Sequence, residues 1–147
     1  MEQEDKKRLS AEKAYEIIKT GLHKDSVIGI GTGSTTNYFI EILNNKKLDI
    51  KGAICSSEAS KKNLTDSGID ILELNEVHQI DYYIDGADEF NSRKELIKGG
   101  GGALTREKIL ANSSKKFICI VDDTKYSEVL GSFPLPIEVI EFARSAI

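Results

Sequence analysis

Apolar residues along this chain fall into short blocks, and the blocks alternate between two spacings. From Leu9 to Lys19 they recur at helical intervals, which predicts an amphipathic helix with Ala14, Ile17 and Ile18 turned inward. Val27 to Gly31 is a short run of the kind that forms a buried strand, and Thr35 to Leu43 returns to helical spacing. Ile50 to Cys55 predicts the next strand. Glu58 to Asp66 predicts a helix stopped near Gly68; strands follow at Ile69 to Leu74 and Asp81 to Ile84, a helix at Ala103 to Asn112, and a strand at Lys116 to Val121. This alternation implies an α/β fold: a mostly parallel, Rossmann-like sheet with helices on both faces. Ligands of such sheets sit beyond the carboxyl ends of the strands.

The pattern changes at Pro134-Leu135-Pro136. Beyond it, Ile137-Glu138-Val139-Ile140 looks like the start of another strand with little chain left to build on. The expected division is therefore an α/β domain over residues 1–131, followed over 132–147 by the incomplete beginning of a second domain.

Composition narrows the function classes. A chain of 147 residues, 39% hydrophobic and 30% charged, can bury one proper core and has no disorder signature. Its net charge of -4 argues against nucleic-acid binding, which needs a basic face. The lysine pairs at 6–7, 46–47, 61–62 and 115–116 are scattered among acids and read as solvated surface. No apolar run approaches membrane-spanning length and the N-terminus is charged, so the expectation is a cytoplasmic protein with no membrane partner. Cys55 and Cys119 each lie in an apolar stretch and read as reduced, buried thiols. His23 and His78 stand alone, leaving no zinc constellation; neither a metal nor a cofactor is expected.

The candidate chemistry lies at the predicted strand ends. Gly29-Ile30-Gly31-Thr32-Gly33-Ser34-Thr35 joins a strand to a helix; Ser34 stands where a dinucleotide fingerprint needs its third glycine, and no Walker lysine follows. A phosphate cradle remains, in which glycines turn amides inward and Thr32, Ser34 and Thr35 offer hydroxyls at a helix N-terminus; a plain capped helix is the alternative. Ser56 or Ser57 reads as a helix cap rather than a nucleophile, since no histidine is placed to activate it. Asp85-Gly86-Ala87-Asp88-Glu89 taken alone would pass for a turn with surface charge. Lys98-Gly99-Gly100-Gly101-Gly102 opens on a cation and runs into a helix with an early glutamate, Glu107, which taken alone would merely complement the helix dipole. After successive strands of one sheet, these carboxylates, amides and a lysine share a crevice suited to a small anionic ligand.

The ordered series of these motifs, with Leu104-Thr105-Arg106-Glu107-Lys108 and Phe133-Pro134-Leu135-Pro136-Ile137-Glu138-Val139, resembles the type A ribose-5-phosphate isomerases from about Gly29 onward. The resemblance implies an enzyme, an aldose-ketose isomerase that interconverts D-ribose 5-phosphate and D-ribulose 5-phosphate in the non-oxidative pentose phosphate pathway, without metal or cofactor. It makes Glu107 the base that moves a proton through an enediolate. Thr32, Gly33, Ser34 and Thr35 match the phosphate-side loop. Asp85, Gly86, Ala87 and Asp88 match the segment that holds the sugar hydroxyls and helps open the ring. Lys98, Gly99, Gly100 and Gly101 match the run facing the reacting carbonyl oxygen, and Lys125 a further substrate-binding lysine. Asp85, Asp88 and Lys98 join Glu107 as expected catalytic groups. The resemblance also implies that residues 132–147 are the truncated start of a second, small α+β domain; Glu141 departs from the family, which commonly has proline there. The expected assembly is a homodimer or higher homo-oligomer. A non-catalytic sugar-phosphate sensor of related fold is the alternative; it would need the phosphate loop but no base. A deaminase or coenzyme A transferase of the same fold class would need other acid-base groups.

Overall fold

A computed structural model describes residues 1–147. Four parallel strands form its centre, β1 (Val27–Ile30), β2 (Gly52–Cys55), β3 (Ile80–Asp85) and β6 (Ser114–Cys119), in the order β2-β1-β3-β6. Helices α1 (Gln3–Ile18), α2 (Ser34–Asn45), α3 (Glu58–Asn63) and α4 (Leu104–Asn112) connect and cover them. Two short strands, β4 (Glu89–Phe90) and β5 (Leu96–Ile97), pair as a separate antiparallel hairpin that the sequence pattern does not announce.

The sheet is apolar on both faces because each packs its own core. On one face Ile28, Ile30 and Ile84 meet Ala11, Ala14 and Ile18 of α1 and Phe39, Ile40 and Leu43 of α2, all essentially inaccessible. On the other, Val27, Ile54 and Tyr83 pack with Leu110 of α4. Buried apolar area of this kind is the main drive for the fold.

The helix stripe on α1 differs from the expected one. Lys7, Ala11, Ala14 and Ile18 face inward, spaced by four, three and four, and this row leaves Ile17 at 43% exposure. The helix also begins six residues earlier than the apolar pattern predicts. Its first turn is charged, with Glu4 and Asp5 suited to the positive end of the helix dipole.

Two predicted strands are corrected. Ile69–Leu74 reduces to one parallel bridge between Ile71 and Ala53, because the chain bends after Leu72 into a 3-10 turn, Leu74–Glu76, that Glu73 and Glu76 cap reciprocally. Ile137–Ile140 forms no strand. It has no neighbour to complete a ladder, and Leu135, Ile137, Ile140 and Phe142 stand exposed at 69–98%. Gly68, with φ 72°, stops the α3 region as expected.

Strand order places the topological switch point between β1 and β3, since the chain leaves β1 towards β2 on one side and returns to β3 on the other. Backbone bonds carry the ladder one step past the strands: Gly31 N–H to Ile84 O, Ser56 N–H to Ile30 O and Ile120 N–H to Asp85 O, each 2.8 Å. Gly31, Ser56, Asp85 and Ile120 therefore stand abreast at the carboxyl edge. Gly31 must lack a side chain, for a Cβ there would lie 1.9 Å from the Asp85 carboxylate. Gly31→Ala is accordingly expected to cost roughly 3 kcal/mol, the upper end for an overpacked core, read as a lower urea midpoint at unchanged m-value. A midpoint within error of wild type would show that Asp85 is free to move.

Candidate active site

Two loops flank the switch point, and both are shaped by what their strands bury. After β1 the chain reaches Gly33, whose φ of 127° turns it into α2 with no side chain capping the helix. The first α2 amides are thus left facing outward, with the positive end of the helix dipole behind them. Ser34 is exposed beside this opening. Thr36 is fully buried there, and its hydroxyl has no partner. Thr32 is fixed from below, its hydroxyl 2.7 Å from that of Ser56, and Ser60 donates to the Gly31 carbonyl at 2.6 Å. Ser57 is the α3 cap, accepting from the Ser60 amide at 3.2 Å.

After β3 comes Asp85, fully buried and surrounded by donors. Its Oδ1 accepts the amides of Thr32 (3.1 Å) and Gly86 (2.8 Å). Its Oδ2 accepts the Tyr83 hydroxyl (2.6 Å) and the Lys98 ammonium (2.7 Å). A buried carboxylate with four donors is stable where an unpaired one would not be. Asp85 lies under the cleft, whereas Gly86, Ala87 and Asp88 line it.

Lys98 follows β5 and is the hub. Besides Asp85 it bonds Glu107 Oε1 at 2.8 Å and the Gly86 carbonyl, so all three ammonium hydrogens have acceptors. Burial alone would lower its pKa; Asp85 and Glu107 together outweigh this and raise it. Glu107, in the first turn of α4, is only 3% exposed. Burial, then the neighbouring Asp85 charge, push its carboxyl up to about 7 despite the pull of Lys98. A carboxylate tuned to neutral pH is suited to take and return protons.

The glycine run closes the far wall. Asp88 Oδ2 accepts the Gly100 amide at 2.8 Å, drawing Gly99, Gly100 and Gly101 into the lining. Lys125 enters from the 3-10 turn Asp123–Lys125, which α1 ties down through Lys6 to Asp123 (2.8 Å) and Gln3 to Thr124 (3.1 Å). The result is a polar cleft of about 210 Å³ lined also by Thr32, Gly33, Ser34 and Thr35.

Sequence reasoning missed several supporting groups. Glu89, read as possible surface charge, is 4% exposed and accepts the amides of Gly131 (2.8 Å) and Ser132 (3.3 Å), bonds that hold its pKa below the usual carboxylate range. Tyr83 and Ser56 are buried beneath the cleft. Period-two alternation along β3 was the available signal, since it puts Tyr83 on the same side as Asp85. Asp81, by contrast, lies at the other end of β3, bonded to the Val27 amide and Lys115. No helix is long and apolar enough to cross a membrane.

Known proteins share this arrangement of strands and loops. The family model for ribose 5-phosphate isomerase A (phosphoriboisomerase A) matches residues 52–147, well over half of the chain. The chain belongs to the ribose 5-phosphate isomerase A family. Ribose 5-phosphate isomerase A from Neisseria gonorrhoeae is 49% identical with a TM-score of 0.91, over 99% of this chain and 63% of that one. A D-ribose-5-phosphate isomerase in complex with phospho-erythronic acid is 39% identical at TM-score 0.91, covering 99% and 64%. The Methanocaldococcus jannaschii enzyme is 37% identical at 0.87, also covering 99% and 64%. The chain thus spans a little under two thirds of the length of these family members.

Glu107 binds its proton more tightly in the fold than in the unfolded chain, so its contribution to stability falls as pH rises from about 4.5 through about 7. Glu107→Gln removes this penalty. The variant is expected to gain about 1–3 kcal/mol relative to wild type between pH 5 and pH 8, measured by urea unfolding at each pH. A pH-independent difference between the two proteins would contradict the raised carboxyl.

Proposed function

We propose that this cleft interconverts D-ribose 5-phosphate and D-ribulose 5-phosphate, an aldose-ketose isomerisation of the non-oxidative pentose phosphate pathway. The observation that carries the reading is the Lys98 ammonium held between Asp85 and Glu107, beside a helix N-terminus left uncapped. Family membership supports the same activity. A phosphate dianion suits the α2 opening, where Gly33, Ser34 and Thr35 supply amides and Thr32, Ser34 and Thr35 hydroxyls; Lys125 adds a cation that, unlike Lys98, holds no carboxylate. The phosphate then serves as a handle that registers the reacting carbons.

In this reading Gly86, Ala87 and Asp88 hold the sugar hydroxyls, and Asp88 assists ring opening. Asp85 acts from beneath by orienting Lys98. In the open aldose, Glu107 takes the proton from C2 and the C1 oxygen becomes an enediolate oxyanion. Lys98 and the amides of Gly99 and Gly101 are the donors for that oxygen, while the Gly100 amide stays on Asp88 and fixes the run in place. When Glu107 turns to the carbon, it releases the Lys98 hydrogen it had accepted, and that hydrogen is free to meet the oxyanion. Returning the proton to C1, with a hydroxyl proton passing from O2 to O1, completes the ketose. The ligand of the 39% identical relative, phospho-erythronic acid, is a phosphorylated hydroxy acid whose planar carboxylate has the shape and charge of an enediolate.

A sensor would have no use for a carboxyl raised to about 7 and paired with a buried lysine. In the same proposal residues 1–131 carry the chemistry, residues 132–147 lead into a second domain, and the working form is a cytoplasmic homo-oligomer, which sedimentation would test.

The direct test is conversion of ribose 5-phosphate followed by formation of the ketose. Glu107→Gln is expected to lower kcat by roughly 10²–10⁴ with KM nearly unchanged. Since the base works ionised, kcat/KM of wild type should fall with unit slope as pH drops below about 7. Turnover of the Gln variant near the wild-type rate would remove Glu107 from the reaction.

The proposal routes no step through a metal. Activity is therefore expected to survive exhaustive chelation, and loss on chelation restored by magnesium or manganese would contradict it.

A further inference from the structure

Tyr83 is one of the largest fully buried side chains, and no step of the proposed reaction uses it. Its ring stacks on Phe117 at 5.3 Å between centroids and lies over Gly29, where a Cβ would come within 2.8 Å of it. The ring is therefore held on both sides, and its hydroxyl is aimed at Oδ2 of Asp85 at 2.6 Å. That same oxygen accepts Lys98 at 2.7 Å, and Lys98 in turn holds Glu107 at 2.8 Å. Burial and the Asp85 charge keep the phenol protonated, with the nearby Ser56 hydroxyl working the other way. Ser56 also bonds Thr32 in the loop at the α2 opening.

We propose that Tyr83 is a positioning residue of this site: by donating to Asp85 it shares out the charge of that carboxylate, keeps Lys98 centred between Asp85 and Glu107, and so governs how readily Glu107 gives up its proton. Two effects of losing the hydroxyl have the same sign. With one donor fewer, Asp85 draws Lys98 away from Glu107, and its own less neutralised charge faces Glu107 more strongly. Both favour protonated Glu107. The other groups near Glu107 do not offset this: Asp88 and Lys125 line the open cleft, Cys119 is an uncharged thiol pushed up to about 11, and Arg106 and Lys108 point to solvent.

The inference rests on the proposed isomerase reading for its kinetic arm only. Carbon-detected NMR titration of the Glu107 carboxyl reports its ionisation whether or not the chain turns over substrate. In Tyr83→Phe the midpoint is expected to rise by roughly half a pH unit, with the acid limb of kcat/KM moving equally and kcat falling more than KM changes. Site-specific 3-fluorotyrosine at position 83, a stronger donor of nearly the same size, should move the midpoint the opposite way and covers the case in which Tyr83→Phe folds poorly. Ile80→Val loosens the same core cluster without touching the hydroxyl and should leave the midpoint in place. An unmoved Glu107 midpoint in both position-83 variants would reduce Tyr83 to packing and overturn the proposal. An inactive wild type with a shifted midpoint would instead sink the isomerase reading and leave this one standing.

Discussion

The site depends on one buried ion cluster. Lys98 carries the only positive charge among three groups that cannot all be comfortable without it, since Asp85 is fully buried and Glu107 nearly so. Two carboxylates in a low-dielectric pocket repel, and a single ammonium cannot satisfy both equally. Asp85 has three further donors and Glu107 has far less help, so the strain falls on Glu107 as a raised proton affinity. The asymmetry of hydrogen bonding, more than any feature of Glu107 itself, suits it to the role of base proposed above.

The fold supplies that asymmetry through register. Parallel pairing sets Ile28, Gly29 and Ile30 against Tyr82, Tyr83 and Ile84, so the residues that follow, Gly31 and Asp85, fall side by side. Removing one side chain at Gly31 makes the room; alternation along β3 turns Tyr83 to the same side. Helix α2 then starts from the loop that donates Thr32 N–H to Asp85, which couples the uncapped helix end to the Lys98–Glu107 pair through one carboxylate.

Much of this was legible in the chain. The four parallel strands and the residues at their carboxyl ends follow from apolar runs punctuated by glycine, and the ordered motifs pointed to one family. What escaped was whatever depended on a partner elsewhere. Ile71 bridges Ala53 only once because Glu73 and Glu76 turn the chain, a competition between local capping and pairing that hydropathy does not register. Ile17 reads as apolar and inward, yet the stripe chosen by α1 packing excludes it. Glu89 reads as surface charge until its acceptors are matched to amides more than forty residues away. Ser56 and Ser57 are neighbours with the same chemistry, and only the strand end decides that one caps α3 while the other supports Thr32.

Asp88 and Glu89 are adjacent and reach in different directions. Asp88 holds the Gly100 amide at the cleft wall, while Glu89 grips Gly131 and Ser132; the Phe133 ring then packs back onto Gly100. The circuit closes on itself, joining the wall of the cleft to the stretch through which the chain leaves the sheet. Anything that pulls on that exit, whether a domain attached beyond it or another copy gripping it, loads the glycine run directly, as a rope does a cleat. Such a connection gives distant parts of a longer protein mechanical access to the glycine wall of the cleft without any of their residues entering it.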